Sequence, residues 1–587
     1  MSARLTGPAL PAPAFATLHQ TLAHAAKSPA GLTFVDAHEV ETKLSWAEVQ
    51  TRARRMAAAL AKLGVRPGDR VAMVLPTGAD FMDAFFGTLL AGAVPVPLYP
   101  PVRLGRMDEY ARITGRMLVV CGAAVVLTDR RIRLLLGKAV EVARPALGCP
   151  TVTELMQGAA GELTIDPGPA ALGLIQFSSG STVDPKPVAL TQANLMAQLA
   201  ALRALLVERP GTHEKGVSWL PLYHDMGLIG CLLVALYVPG DLVLLPPEAF
   251  LAKPSIWLRA ISRHRATISP APNFAYGLCL KRVRDEDLEG LDLSTWTYAL
   301  NGAEPVSHEV MTRFCDRFGR FGFRREALMP VYGLSEAALA VTFTSGTGDK
   351  PVLHVDPAAI AAQGDVLPGA RPLVSVGHPV PGCDIEVRAD DGTVVAERHV
   401  GHVFARGPFV MKEYFGNPEA TARALRGGWL DTGDLGFVDA GELYVCGRTK
   451  DLVIIRGANH APQVFEECLE SLAGVRTGCA VAVGFIAPDT HDEALLILAE
   501  RADDPPSDLA HQISSAIVSR TGIRPHTVMV LAPGTLPRTS SGKLRRAEAL
   551  RLFLAQQLVA PRPVNLLSVG GEMAKSALAH ARRKLSP

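Results

Sequence analysis

ALGLIQFSSGSTVDPKPVALTQANLMAQLAALRALL, residues 171–206, contains an apolar run, a loop rich in small polar residues and a long helical pattern in succession. The run before Ser178 is typical of a buried strand, and Thr191 is a suitable N-cap for the helix. Phosphate oxygens bind to hydroxyl groups, backbone N–H groups and ammonium groups, which this loop supplies together. The candidate phosphate ligands are Ser178, Ser179, Gly180, Ser181, Thr182 and Lys186. The GxxxxGK[ST] pattern of P-loop NTPases is absent, and an ordinary turn has a similar composition, so the loop alone leaves its role open.

The sequence on either side predicts alternating helices and strands. Residues 42–75 indicate a capped amphipathic helix that stops at Gly64, a turn and then a buried strand, and residues 80–100 repeat the order of helix and strand. This alternation is typical of an α/β fold with mixed, largely parallel sheets. Between residues 373 and 448 the short strand patterns LVSVG, CDIEVR, GHVFARG and GELYVCGR predict a β-rich part.

A change of pattern near residue 449 predicts two domains. We expect a large N-terminal body of several subdomains over residues 1–449 and a small, mobile α+β domain over residues 450–560, followed by a loose tail over residues 561–587. In the small domain we expect helices at residues 461–474 and 507–522, and strands at residues 480–486, 493–500 and 527–532.

Composition excludes several functional classes. The 587 residues are 48% hydrophobic with a net charge of +2, so no strong field selects nucleic acid. The nine cysteines form no CxxC pair, which favours reduced thiols and a cytoplasmic location. The start shows no signal-peptide pattern, and the longest uncharged apolar stretch, residues 226–240, is shorter than the roughly 20 residues of a transmembrane helix.

Further motifs follow the loop in a fixed order. They are SWLPLYHDMGLIG (218–230), NGAEP (301–305), VYGLSE (331–336), WLDTGDLG (429–436), GRTKD (447–451) and LPRTSSGKLRR (536–546). With these motifs the chain resembles the adenylate-forming superfamily from about Phe15 to Leu558. The segments APNFAYGLC (271–279) and RTKDLVIIRGANHAPQ (448–463) look most like its fatty acyl-AMP ligase branch.

The resemblance implies a two-step reaction in which ATP and Mg²⁺ activate a carboxylic acid as an acyl-adenylate and a thiol then takes the acyl group. Attack of a carboxylate on a phosphate requires neutralisation of charge, which suits a metal ion and a positioned cation. Lys543 matches the family lysine that bridges the carboxylate and the α-phosphate. Glu336 matches the magnesium-binding carboxylate, with Thr182 as a second metal ligand.

The remaining site residues are also implied by the resemblance. Asp434 and Arg448 match residues that hold the ribose, His224 lies where carboxylate and acyl chain meet, and Lys450 matches the hinge. The expected contacts to the rest of the nucleotide are Gly302, Ala303, Glu304, Tyr332, Gly333 and Ser335. The expected acyl-pocket residues are Met226, Gly227, Asn273, Phe274 and Tyr276.

Two departures from the family pattern affect function. Val183 and Pro187 replace glycines of the loop, which stiffens it and removes a backbone donor. Residues 345–374 resemble the insertion that holds the mobile domain in acyl-AMP ligases, but the segment is shorter than the common form. Ala458, Ala461 and Val464 also stand where the branch tends to have Arg, Tyr and Asp.

The first hypothesis is therefore a fatty acyl-AMP ligase that activates a fatty or related carboxylic acid and loads the phosphopantetheine of an acyl carrier protein. The alternatives are an acyl-CoA synthetase, which would release acyl-CoA, and a non-catalytic binder of acyl groups or nucleotides with the same fold. Turnover with CoA distinguishes the first alternative, and nucleotide binding without pyrophosphate release distinguishes the second.

Overall fold

The computed structural model describes residues 1–101, 107–178, 185–206, 214–345, 350–455, 457–470, 472–487, 493–539 and 542–560. The predicted phosphate ligands Ser179, Gly180, Ser181 and Thr182 lie outside the described residues. The predicted tail, residues 561–587, also lies outside them.

The first part of the chain builds an α/β layer. Its elements are β1 (Arg4–Thr6), α1 (Leu18–Ala25), β2 (Gly31–Val35), β3 (Glu41–Ser45), α2 (Trp46–Leu63), β4 (Arg70–Val74), α3 (Ala79–Leu90), β5 (Val94–Leu98), α4 (Met107–Val120), β6 (Ala123–Thr128), α5 (Arg130–Arg133), α6 (Gly137–Ala143) and α7 (Val152–Gln157). Helix α2 begins at a capping box between Ser45 and Glu48 and ends at Gly64, whose φ is 110°. This confirms the predicted cap and stop. Strands β5, β4 and β6 form a parallel sheet in that order.

The second part carries the loop and most of the motifs. Its elements are β7 (Leu172–Phe177), β8 (Pro187–Thr191), α8 (Gln192–Leu206), β9 (Lys215–Ser218), α9 (Asp225–Gly227), a π-helix (Leu228–Leu233), α10 (Val234–Tyr237), β10 (Asp241–Leu244), α11 (Pro247–Ala252), α12 (Ser255–His264), α13 (Asn273–Arg282), β11 (Ala299–Asn301), α14 (His308–Phe318), β12 (Leu328–Gly333) and β13 (Ala340–Phe343). Thr191 Oγ1 accepts a hydrogen bond from the Asn194 N–H at 3.1 Å, which confirms it as the cap of α8.

The loop connects two strands rather than a strand and a helix. Strands β7 and β8 pair antiparallel, with Phe177 opposite Pro187, and the Ser178 N–H donates to the Lys186 carbonyl at 2.9 Å. The sequence pattern predicted a helix after the loop and no strand between them, so β8 was missed. Pro187 is the first residue of β8, a position that tolerates the missing N–H of proline.

One extended sheet crosses the body. Strands β3, β2, β10 and β9 form one half, and β11, β12, β13 and β16 (His378–Pro379) form the other. Isolated parallel bridges from Gly216 to Ile268, from Ile268 to Tyr298 and from Ala271 to Asn301 connect the halves. The motif residues that follow β9, β11 and β12 lie at the carboxyl ends of these parallel strands, where α/β proteins bind ligands.

The third part is β-rich, as predicted. Its elements are β14 (Val352–Val355), α15 (Pro357–Gln363), β15 (Arg371–Val374), β16 (His378–Pro379), β17 (Asp384–Arg388), β18 (Gly401–Arg406), β19 (Glu413–Tyr414), α16 (Pro418–Ala424), β20 (Leu425–Arg426), β21 (Trp429–Asp439) and β22 (Glu442–Arg448). Strands β1, β17, β18, β21, β20 and β22 form an antiparallel sheet, whose outer neighbour β1 comes from the start of the chain.

The last part is a small α+β unit. Its elements are β23 (Val453–Ile455), β24 (Ala458–His460), α17 (Gln463–Glu466), β25 (Val475–Ile486), β26 (Glu493–Arg501), α18 (Leu509–Thr521), β27 (Thr527–Leu531) and α19 (Arg546–Leu554). The helix predicted over residues 461–474 is wrong in length, because the chain reverses at Gly474, with φ 87°, to enter β25. The apolar clusters of this unit begin at Val453 and those of the body end at Cys446, and the predicted boundary at residue 449 falls in this gap.

Within the described ranges, no helix combines the length and the apolar character that crossing a bilayer requires. All nine cysteines are described and carry free thiols.

Candidate active site

A hydrogen-bonded cluster lies where β12 meets the β21–β22 hairpin. Asp434 and Arg448 face each other across that hairpin, and the Arg448 Nε–H donates to Asp434 Oδ1 at 3.0 Å. The Tyr332 hydroxyl donates to Asp434 Oδ2 at 2.6 Å. Burial and the Asp434 charge raise the pKa of Tyr332 well above its usual value, so the phenol stays protonated and remains a donor. Three predicted nucleotide contacts therefore form one unit around a buried carboxylate.

Backbone crowding explains the two glycines predicted in the adenine slot. A Cβ atom on Gly302 would lie 2.6 Å from the Val331 carbonyl oxygen, and one on Gly333 would lie 1.8 Å from the Leu339 carbonyl oxygen. Any side chain at either position would displace the backbone that borders the cleft. Ala303 has φ 68°, a conformation that non-glycine residues adopt mainly where surrounding structure enforces it.

Glu304 connects the slot to α13. Its Oε1 accepts a hydrogen bond from the Phe274 N–H at 2.5 Å. Desolvation raises the pKa of Glu304, while that hydrogen bond and the charge of Lys543 lower it. Glu304 therefore faces the candidate catalytic lysine, although it comes from a distant segment of the body.

Lys543 itself is presented by a tight turn of the small C-terminal unit. The Thr539 N–H donates to the Lys543 carbonyl at 2.7 Å, and Gly542 adopts φ 89°. Two residues later, Arg545 Nη1 lies 3.3 Å from Glu109 Oε1 of α4, so the turn is attached to the body. Burial and the Arg448 charge lower the pKa of Lys543, whereas the charges of Asp225, Glu304 and Asp434 raise it. Carboxylates from three separate segments of the body therefore act on the charge of Lys543, a residue that is itself partly exposed.

His224 and Asp225 come at the start of α9. Asp225 Oδ1 accepts from the Met226 N–H at 2.7 Å, and Asp225 Oδ2 accepts from the Ser335 hydroxyl at 2.6 Å. Burial lowers the pKa of His224 to about 4, with the Asp225 charge raising it and the Lys543 charge lowering it. Neutral imidazole is therefore the form present near pH 7. The π-helix Leu228–Leu233 follows directly, and π-helical turns are frequent at functional sites.

Glu336 provides a carboxylate for a metal ion. It lies in a short turn after β12, is partly exposed, and its Oε1 accepts a hydrogen bond from the Tyr414 hydroxyl at 2.8 Å. The described residues contain no group of three or more His, Cys, Asp or Glu side chains that could hold a metal on their own. Mg²⁺ usually binds through one or two carboxylates together with substrate phosphates, so Glu336 fits an ion that arrives with a nucleotide.

The comparison with known families decides the identity. The sequence profile of the AMP-binding enzyme family matches residues 22–415. The chain belongs to the AMP-binding, adenylate-forming enzymes. A solved structure from a study of fatty acyl-adenylate ligases of E. coli and L. pneumophila is similar to 92% of this enzyme and 98% of that chain, with 36% identity and a TM-score of 0.86. Within the superfamily, the enzyme belongs to the fatty acyl-AMP ligase branch.

Two similar proteins are named for different activities. A medium-chain-fatty-acid–[acyl-carrier-protein] ligase of Teredinibacter turnerae is 30% identical over 93% of this AMP-binding enzyme and 94% of its own length. A Caulobacter vibrioides protein to which acyl-CoA synthetase activity is ascribed is 36% identical over 92% of this enzyme and 96% of its own length.

An open apolar cleft runs beside the π-helix of the enzyme. Its lining includes Gly230, Cys231, Val234, Val238, Val217 and Ile268. The predicted pocket residues Met226 and Gly227 lie at the beginning of the same helical segment, and Phe274 packs edge-on against Trp219 with ring centroids 5.9 Å apart. None of these three residues is in the lining of the cleft.

Two other predicted pocket residues have structural contacts instead. The Tyr276 ring is fully buried among Trp257, Trp296 and Phe314, and its hydroxyl donates to the Leu300 carbonyl at 3.2 Å. Asn273 Oδ1 accepts from the Ser307 N–H at 3.1 Å. Neither residue is in the lining of the apolar cleft.

Lys450 lies in a single 3-10 turn, Thr449–Asp451, between the body and the small unit. The segment predicted as an insertion forms a β14–α15–β15 excursion against that unit. Arg371 of β15 makes a bidentate ion pair with Glu467, with N–O distances of 2.8 and 3.0 Å, and only 12% of the Arg371 side chain is exposed.

The sequence analysis missed Asp225 and Tyr414. Asp225 follows His224 directly, and a charged residue next to a candidate active-site histidine was the available signal. Tyr414 had no local signal, because its relation to Glu336 depends on pairing between β19 and β8, which are more than 200 residues apart in sequence.

Proposed function

We propose that the enzyme joins a fatty or related carboxylic acid to the α-phosphate of ATP and then transfers the acyl group to the phosphopantetheine thiol of an acyl carrier protein. In the first step a carboxylate oxygen bonds to the α-phosphorus while the bond from that phosphorus to the pyrophosphate oxygen breaks. The observation that carries the proposal is the turn of Lys543, which Arg545 attaches to Glu109 of the body at 3.3 Å, with the charges of Asp225, Glu304 and Asp434 acting on the lysine.

The roles of the side chains follow from their chemistry. Lys543 offsets negative charge where the carboxylate approaches the α-phosphate, and Asp434 accepts hydrogen bonds from the ribose hydroxyls beside Arg448. Glu336 holds Mg²⁺, with Thr182 as a further ligand, and the ion supplies charge neutralisation on the phosphates. Neutral His224 orients the acid at the entrance to the acyl cleft.

The other predicted contacts bind the nucleotide without chemical roles. Backbone crowding supports an adenine slot at Gly302 and Gly333, with Ala303, Glu304 and Tyr332 as its border. Lys186 and the loop residues Ser178, Ser179, Gly180, Ser181 and Thr182 bind the phosphates. Ser335 acts through Asp225, since its hydroxyl is already donated to that carboxylate.

The apolar cleft is the proposed site of the acyl tail. It lies along the helical segment that begins at His224, and most of its lining side chains are hydrocarbon. Burial of each methylene contributes about 0.8 kcal/mol, so an alkyl tail in this cleft would bind tightly enough to dominate selectivity among acids.

Two observations support a carrier protein as acceptor. The Teredinibacter turnerae relative is named for transfer to an acyl carrier protein. The Arg371–Glu467 ion pair joins the insertion to the mobile unit, and such a contact restrains the rotation about Lys450 that would be needed to admit free CoA. Free thiols at all nine cysteines and the use of ATP support a cytoplasmic location.

An acyl-CoA synthetase is the second candidate, favoured by the name of the Caulobacter vibrioides relative. Mass spectrometry of products from mixed carboxylic acids separates the two. We expect acyl-adenylate and pyrophosphate from the enzyme alone, acyl-carrier protein when a phosphopantetheinylated carrier is added, and little acyl-CoA when CoA replaces it. Rapid formation of acyl-CoA would favour the synthetase, and nucleotide binding without pyrophosphate release from any acid would indicate a non-catalytic binder.

A further inference from the structure

The segment that carries Tyr414 is attached to two parts of the proposed nucleotide site. Strand β19 pairs antiparallel with β8, so Tyr414 lies opposite Val188, and the Phe415 N–H donates to the Pro187 carbonyl at 2.8 Å. At its other end, the Met411 N–H donates to the Glu336 carbonyl at 2.8 Å. The backbone therefore fixes Tyr414 between the end of the phosphate loop and the turn of the metal carboxylate.

The Tyr414 side chain contacts a charged group on each of these elements. Its hydroxyl donates to Glu336 Oε1 at 2.8 Å, and the Lys186 ammonium nitrogen lies 4.7 Å from the centre of its ring. Tyr414 is 5% exposed, and its hydroxyl is the donor in the hydrogen bond to Glu336. One neutral ring thus makes a charge-assisted hydrogen bond and a cation–π contact.

We propose that Tyr414 is a positioning residue that couples Glu336 to Lys186 and presents both charges to a magnesium nucleotide as one unit. The inference rests on the proposed function, because it assigns those two charges to metal and phosphate. By occupying Oε1 of Glu336, the hydroxyl leaves Oε2 for a metal ion. By holding Lys186 on its ring face, Tyr414 orders a cation at the end of the loop, directly before Pro187 of β8.

The alternative arrangement would be a direct ion pair. Among the described residues, Lys186 and Glu336 each contact Tyr414 and form no ion pair with each other. An ion pair between them would neutralise both charges, and a nucleotide would have to separate it before binding. Contact through a neutral ring avoids this cost while still fixing the two side chains relative to each other.

Two substitutions separate the contacts. Tyr414→Phe removes the hydrogen bond to Glu336 and keeps the ring under Lys186, whereas Tyr414→Leu removes both. Tyr110→Phe is the matched control, since Tyr110 is also a buried tyrosine that donates one hydrogen bond, to the Tyr99 carbonyl at 3.1 Å. Binding of α,β-methylene-ATP to the full chain is measured by calorimetry, with Mg²⁺ and with EDTA, and KM and kcat for pyrophosphate release are measured in parallel.

We expect Tyr414→Phe to lose roughly tenfold in affinity for the magnesium analogue and to bind the metal-free analogue as the native chain does. Tyr414→Leu should lose a further two- to fivefold, and this loss should persist in EDTA because the cation–π contact is gone. Tyr110→Phe should match the native chain in both conditions.

Unchanged magnesium-dependent affinity in Tyr414→Phe would overturn the inference, as would an equal loss with and without Mg²⁺, which indicates a structural effect. The proposed function has a separate test. A native chain that binds the magnesium analogue but releases no pyrophosphate with any acid would contradict the proposed reaction. The binding comparison among the variants would still test the role of Tyr414 in that case.

Discussion

Replacing Asp434 by Asn tests the centre of the proposed ribose site. Asp434 is 5% exposed, and its two oxygens accept from Tyr332 at 2.6 Å and from Arg448 at 3.0 Å. Asn keeps the shape of the Asp434 side chain and one acceptor oxygen, but it lacks the negative charge. Its NH₂ group would face one of the two donors, Tyr332 or Arg448. The proposed contacts to the ribose hydroxyls lose their ionised acceptor at the same time.

The size of the effect follows from these contacts. A hydrogen bond to a charged group contributes about 1.5–3 kcal/mol. The Arg448 side chain is 39% exposed, so solvent screens its ion pair with Asp434. The free-energy contribution of this pair is therefore at the lower end of that range or below it. A total loss of about 2–3 kcal/mol corresponds to a roughly 30- to 150-fold rise in the KM for ATP. The KM for the acid should change by much less, because Asp434 is not near the acyl cleft.

A continuous pyrophosphate-release assay with one fatty acid measures both constants. Asp439→Asn is the matched control, since Asp439 lies on the same strand and makes a longer, 3.6 Å ion pair with Arg398. A KM for ATP within twofold of the native value in Asp434→Asn, with a folded protein, would refute the ribose assignment. Equal losses in both variants would point to damage to β21 instead.

Other predictions concern the lysine, the histidine, the insertion and the acyl cleft. Because burial lowers the pKa of Lys543 from its usual 10.5, adenylate formation should fall as pH rises through a value below 10.5, and Lys543→Arg should remove this alkaline limb in a pH–rate profile. His224, with a pKa of about 4, stays neutral from pH 5.5 upward, so the same profile should show no inflection near 6.5. Reversing either charge of the Arg371–Glu467 pair should raise acyl-CoA formation severalfold, and the double reversal should restore the native level. Ala235→Leu should shorten the longest acid accepted, because Ala235 lines the cleft and a larger side chain there would take up part of its space.

Each of these four predictions has a result that would contradict it. A flat profile up to pH 10.5 would contradict the lysine assignment, and an inflection near 6.5 that disappears in His224→Gln would show that the imidazole titrates in the usual range. Single charge reversals that leave acyl-CoA formation unchanged would separate the insertion from acceptor choice. An unchanged acid profile in Ala235→Leu would contradict the assignment of the acyl tail to this cleft.

Local sequence signals predicted the regular elements well. The capping box of α2, its glycine stop and the strand that follows are set by residues within about 30 positions of one another, so pattern and propensity suffice. The order of the motifs was likewise readable along the chain. The helix at residues 461–474 failed because its length depends on where the chain must turn back into β25, which is a property of the folded unit.

Contacts between distant segments could not be read in this way. Strand β8 was not predicted because it begins with Pro187, and proline is uncommon in strands. Its pairing with both β7 and β19 makes it a strand. The bond from Ser335 to Asp225 joins segments 110 residues apart, and the bond from Tyr414 to Glu336 joins segments 78 residues apart. Family resemblance supplied individual residues, whereas the structure shows which of their neighbours hold them in place.

The pairing of β1 with β17 has a practical consequence for handling the protein. The N-terminal residues cover the edge of the sheet that leads through β18 and β21 to Asp434, with Arg4 opposite Glu386 and the Gly7 N–H bonded to the Cys383 carbonyl. Proteolytic trimming of residues 1–7 would leave β17 with exposed backbone donors and acceptors that can recruit a strand from a second molecule. Fusion partners are therefore better attached at the carboxyl end, and loss of the first residues on storage should be followed by self-association.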